Sequence, residues 1–133
     1  MKPAFAKATV GRQVLAAGVF EVFHAGHLYF LNEARKLGDE LTVIVTSDSV
    51  ARREGKKPQF SARARAELID RLRIADRVVV GRTDGDIVKT VRELQPDVIA
   101  LGYDQAFTIR SLASVLAKIP WRGTIRRVKR FHA

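Results

Sequence analysis

The sequence predicts an α/β fold: a doubly wound, Rossmann-like, five-stranded parallel sheet with helices on both faces. Three observations predict it. Short apolar runs alternate with segments of helical period along almost the whole chain. The runs are continuously apolar, as strands covered by helices on both faces are. Turn and breaker residues such as Gly38, Gly55, Pro58 and Pro96 fall between the segments.

Residues 1–12 read as a flexible lead-in, and 13–133 as one domain. Gln13–Phe20 is apolar and rich in β-branched residues, a buried strand. Gly26–Leu37 places Leu28, Phe30, Leu31, Ala34 and Leu37 on one helical stripe, and Gly38 is expected to end that helix as a C′ glycine. Glu40–Thr46 is the second strand. A short helical start and a polar loop through Gly55 and Pro58 follow. Ser61 is an N-cap for a helix over Ala62–Ile74. Arg77–Val80 is a strand, Ile87–Leu94 a helix stopped by Gln95-Pro96, and Asp97–Leu101 a strand. Ser111–Ile119 closes the helices and Thr124–Val128 the strands. Ligands of such sheets bind beyond the carboxyl ends of the strands, so the loops at 19–27, 46–60, 81–86 and 102–110 are where chemistry is expected.

The composition narrows the partners. The chain carries a formal net charge of +10, which favours anionic ligands. It has no cysteine, so disulfides and thiolate zinc sites are excluded. The longest apolar run, Val14 to Phe20, is far too short to cross a bilayer, and the amino-terminus lacks the apolar core of a signal peptide. A cytoplasmic location is the resulting expectation, with no membrane partner. Aromatic residues make up only 8% of the chain and no helix-turn-helix or RNA-binding signature is present, so nucleic acid is not the expected partner.

Two of the three histidines, His24 and His27, fall at the junction of the first strand and first helix. A strand-to-helix junction presents free backbone N–H groups and the positive end of a helix dipole, a ready anion site. Gly26 permits close approach, and residues three apart share a face, so both imidazoles can serve one phosphate. A metal pair completed by Glu21 is the alternative, although helical metal pairs favour i,i+4 spacing. The G-x-G-x-x-G dinucleotide fingerprint is absent there, which argues against a dehydrogenase.

The stretch Gly18-Val19-Phe20-Glu21-Val22-Phe23-His24-Ala25-Gly26-His27 resembles the HxGH signature, G-T-F-D-x-x-H-x-G-H, of a nucleotidyltransferase superfamily. That superfamily includes cytidylyltransferases, archaeal-type FAD synthases and pantetheine-phosphate adenylyltransferases. Val19 stands in place of the threonine and Glu21 in place of the aspartate. The resemblance spans roughly residues 13–128 and includes "LNEARKLGDELTVIVTSD", "KKPQFSARARAELID" and "LQPDVIALGYDQ"; Gly102-Tyr103-Asp104-Gln105 is most similar to FAD synthases. The sequence ends in "RGTIRRVKRFHA" where relatives begin the serine/threonine-rich motif that holds the outer phosphates, so the expectation is either that it is cut from a longer chain or that it lacks that clamp, with Arg126, Arg127, Lys129 and Arg130 as candidates to substitute for it in part.

The resemblance implies transfer of CMP or AMP, with magnesium, from CTP or ATP onto a small phosphorylated or phosphonate acceptor, releasing pyrophosphate. Adenylylation of FMN is favoured slightly over cytidylyl transfer to glycerol 3-phosphate or a similar compound. It implies catalytic roles for His24, His27, Lys57 and Arg65. Gly18, Val19, Phe20, Gly26, Gly102 and Asp104 would bind the nucleotide, and Glu21, Lys56 and Asp48 the acceptor. No metal ligand from the protein is implied, and a homodimer is. A domain of a fused enzyme, or a non-catalytic nucleotide- or nucleic-acid-binding module, is the competing expectation.

Overall fold

A computed structural model describes residues 11–132 apart from Asp104, Ala106 and Phe107. Met1–Val10 of the expected lead-in, and Asp104, therefore lie outside the described residues. The elements run β1 (Gln13–Gly18), α1 (Ala25–Arg35), β2 (Glu40–Val45), α2 (Asp48–Arg53), α3 (Ala62–Arg71), β3 (Arg77–Val80), α4 (Ile87–Leu94), β4 (Val98–Leu101), α5 (Ile109–Leu116) and β5 (Thr124–Arg127). All five strands are parallel, in the order β3-β2-β1-β4-β5. The expected doubly wound sheet is the one found.

Side chains alternate across each strand, so each strand feeds two cores. Val14, Ala16, Leu41, Val43, Val45, Val98 and Ala100 pack with Leu31 and Ala34 of α1 and with Ala62 and Ile69 of α3. Leu15, Ile44, Ile99 and Leu101 face the other way, onto Val91 and Leu94 of α4 and Leu112 and Leu116 of α5. Register keeps the layers matched: Val14 lies beside Leu41 and Val98, and Ala16 beside Val43 and Ala100. Each fully buried leucine or isoleucine contributes roughly 1.5–3 kcal/mol, so the two layers hold the sheet rigid behind its loops.

Several element ends differ from expectation, each for a local reason. β1 stops at Gly18 because Phe20 takes a left-handed conformation, φ 51°, and folds its ring back over Gly18. α1 closes on Lys36 in an ordinary helical conformation, so Gly38 is not a left-handed cap. Gly38 is instead a point of close approach: a Cβ there would lie 2.7 Å from both the Arg12 carbonyl oxygen and Val14 Cγ2. α3 is shorter than expected, with Arg73 at φ 59° just beyond it. α5 begins at Ile109 because Thr108 and Ser111 form a reciprocal capping box, which makes Ser111 the third helical residue rather than the first.

β1 is the central strand, with β2 on one side and β4 on the other. The chain leaves β1 toward the face covered by α1 and β4 toward the face covered by α5, so the carboxyl ends of these two strands mark the topological switch point. At the opposite end of the sheet, Trp121 Nε1 donates to the Pro96 carbonyl at 2.6 Å. A small cavity lined by Gln13, Thr42, Arg77 and Leu94, and a wider groove beside Trp121 and Arg122, also lie at that amino-terminal end, away from the loops expected to carry chemistry.

Candidate active site

The histidine pair caps α1. His24 is the N-cap residue, with extended backbone (φ −143°, ψ −179°), and its Nδ1 accepts the Gly26 N–H at 3.0 Å. His27 Nδ1 accepts the His24 N–H at 3.3 Å. The two histidines thus form a capping box, a task usually given to Ser or Thr with Glu or Gln. Their rings stack, with centroids 3.8 Å apart and planes 20° apart. Because each Nδ1 accepts a backbone hydrogen, the hydrogen of each neutral ring sits on Nε2. The cap therefore selects one tautomer in both rings, the one that turns an N–H donor away from the backbone at the positive end of the helix.

Neighbouring residues hold that geometry. Phe20, 6% exposed, meets His27 edge-on at 5.3 Å, and Phe23 lies 5.5 Å from the same ring. Gly26 is required by the His24 ring: a Cβ would fall 2.9 Å from Cε1 and 3.1 Å from Nδ1. Gly18 is required in the same way by the Phe20 ring, at 2.9 Å.

Arg65 is bonded on three sides. It is 3% exposed and its guanidinium is occupied. Nη1 donates to the Val19 carbonyl, Nε to the Phe60 carbonyl at 3.0 Å, and Nη2 to Asp48 Oδ1 at 2.7 Å. In this geometry Arg65 fixes the turn that carries Phe20. Asp48 is engaged as well, since its carboxylate also accepts the Ala62 N–H at 3.0 Å. That backbone bond, followed by the Arg65 bond, holds the Asp48 carboxyl below its ordinary pKa. Asp48 thus joins the starts of α2 and α3.

Other expected residues do come together. Glu21 and Lys56 lie 3.8 Å apart across the loops after β1 and α2. Lys57 is exposed in the same loop as Lys56. On the other side of the crevice, the Gly102 N–H donates to Gln105 Oε1 at 2.7 Å, and Arg127 Nη1 donates to the Gly102 carbonyl. Arg130 sits over the Tyr103 ring, 5.7 Å from its centroid. Basic residues at the end of β5 and just beyond it thus reach the carboxyl end of β4. Gln105 is not among the site residues expected from the sequence, although it closes the Gly102-Tyr103-Asp104-Gln105 segment. Among the described residues, no three His, Asp or Glu side chains gather as a metal site, and no helix is long and apolar enough to cross a membrane.

A doubly wound sheet, with a histidine-capped helix start opening onto its switch point and basic loops on either side, defines an enzyme that works on nucleotides, a nucleotidyltransferase. The chain belongs to the cytidylyltransferase-like family, whose model matches residues 15–132. It is 44% identical to the FAD synthase of Thermoplasma volcanium over 90% of this chain and 83% of that protein. It is also 44% identical to the FAD synthase of Pyrococcus abyssi, over 87% and 79% of the two chains. The crystal structure of the lipopolysaccharide core biosynthesis protein from Thermoplasma volcanium superposes with a TM-score of 0.89 at 43% identity, covering 92% of this chain and 100% of that one.

Proposed function

We propose that the protein is an FAD synthase, transferring AMP from ATP to FMN. The observation that carries this reading is identity above 40% to FAD synthases over most of the chain, joined to a paired-histidine cap at the expected phosphate site. A phosphate oxygen of FMN attacks the α-phosphorus of ATP, the bond to the β-phosphate oxygen breaks, and pyrophosphate leaves. The second pKa of a phosphate monoester is about 6, so the nucleophile is ionised near neutral pH and needs no strong general base. Catalysis then rests on positioning and on charge stabilisation in the transition state.

His24 and His27 donate from Nε2 to the α-phosphate oxygens, backed by the α1 N-terminus. Gly18, Phe20 and Gly26 shape the turn that presents them, and Arg65 holds that turn through the Val19 carbonyl. Lys57 neutralises the phosphates, with Lys56 and Glu21 on the acceptor side. Gly102 and Asp104 flank the nucleotide, and Arg126, Arg127, Lys129 and Arg130 add positive charge for the outer phosphates. Magnesium would be carried by the triphosphate and would neutralise charge on its oxygens. The working unit is a homodimer, a reading supported by resemblance alone and checked by light scattering.

The test is a product assay with purified protein and magnesium. ATP with FMN should yield FAD and pyrophosphate in equal amounts. Pyrophosphate release from CTP with glycerol 3-phosphate, and none from ATP with FMN, would overturn the assignment.

A further inference from the structure

The carbonyls of a strand face its two neighbours alternately. In β1 the Gln13 carbonyl faces β4 and accepts the Asp97 N–H at 2.8 Å, while the Gly18 carbonyl faces β2 and accepts the Thr46 N–H at 2.9 Å. The Ala17 carbonyl therefore faces β4. In β4 the Leu101 carbonyl faces β5 and accepts the Val128 N–H, so the Gly102 N–H faces β1. The β1–β4 pairing ends at Ala16 beside Ala100. Continued one step, the parallel ladder would join the Gly102 N–H directly to the Ala17 carbonyl.

That bond is not made. The side-chain amide of Gln105 is inserted into it: Oε1 accepts the Gly102 N–H at 2.7 Å, and Nε2 donates to the Ala17 carbonyl at 2.9 Å. A glutamine amide carries the same donor and acceptor as a peptide group, so it extends the ladder while keeping the strands one amide farther apart. The amide is inserted just beyond the last paired residues of β1 and β4, Ala16 and Ala100. Ala17 is followed at once by the turn that leads to His24 and His27.

We propose that Gln105 is a positioning residue that holds the switch-point crevice open by the width of one amide and fixes the histidine loop relative to the loop starting at Gly102. This role rests on the crevice being the nucleotide site, as in the proposed function above. No side chain of similar size reproduces both bonds. Glutamate can accept from Gly102 but cannot donate to Ala17, and leucine can do neither.

The test compares the wild-type protein with Gln105→Glu and Gln105→Leu. In the ligand-free proteins, exchange of the Gly102 amide should stay slow in wild type and Gln105→Glu and become fast in Gln105→Leu. Backbone resonances of Gly18–His27 should shift in both variants, although they lie some eighty positions away in sequence. ATP measured by calorimetry should bind Gln105→Leu about tenfold more weakly, the equivalent of one ordinary hydrogen bond. If Gln105→Leu does not fold, Gln105→Glu carries the test through the Gly18–His27 resonances. Unchanged resonances in that loop and unchanged ATP binding would overturn the proposal. Because the exchange and resonance measurements need no turnover, a wild-type protein that makes no FAD yet shows the predicted pattern would overturn the assigned reaction and leave the clip standing.

Discussion

His24 has two tasks, and a single substitution can separate them. Asparagine is a strong N-cap and can accept the Gly26 N–H, but it has no imidazole Nε2–H to offer a phosphate. His24→Asn should keep its melting temperature close to wild type while losing about 100- to 1000-fold in turnover. A folded variant that retains its rate would remove His24 from the chemistry. Gly26→Ala makes the complementary case. Alanine is the better helix former by about 1 kcal/mol, yet its Cβ would press on the His24 ring. The expected result is a folded protein whose turnover has fallen, with no net gain in stability because the displaced His24 ring gives up its cap bond, which thermal melts and initial rates would show together. The histidines could be found in the sequence because two of three fell on one turn. Their stacking could not, since it depends on Nδ1 accepting from the backbone, and a residue string does not report that.

At the scale of elements, Arg65 joins three separate pieces: the turn after β1, the start of α2 and the loop before α3. Lysine has one ammonium and no planar fork, so it cannot bond Val19, Phe60 and Asp48 together. Arg65→Lys should destabilise the fold by about 2–4 kcal/mol, read by denaturant midpoint at an unchanged slope, because buried carbonyls lose their donors. Asp48 adds a pH dependence to the same corner. Its pKa is lowered on folding, so its contribution is complete above the unfolded value of about 3.9 and is lost as pH falls through the lower folded value. Wild-type protein should lose stability over that acidic window, and Asp48→Asn should lose less. Equal losses in the two proteins would contradict the role given to Asp48. Ala62, Arg65 and Ile69 share one buried stripe of α3, so the sequence did hold a sign that Arg65 faces inward. An arginine is ordinarily a surface residue, which masks that spacing in the sequence. Strand and helix order, by contrast, was plain, since apolar runs and helical stripes are set by burial on each element separately. Element ends such as Gly18 and Thr108 depend on contacts and caps made by other residues.

For the whole molecule, the excess of positive charge sits on an enzyme whose proposed substrates are both anions. KM for ATP and for FMN should rise as salt increases from low to high ionic strength, because screening shortens the range over which the protein's field gathers them. Values independent of salt would mean that the net charge serves another purpose. The anchoring of Trp121 at the amino-terminal end of the sheet also gives the protein a built-in spectroscopic reporter. The chain has a single tryptophan, and its indole is hydrogen-bonded to Pro96 on the far side of the sheet from the histidine cap. Its fluorescence should therefore red-shift when the sheet comes apart and stay constant when a nucleotide docks, so emission can follow unfolding in the presence of saturating ATP without correction for occupancy.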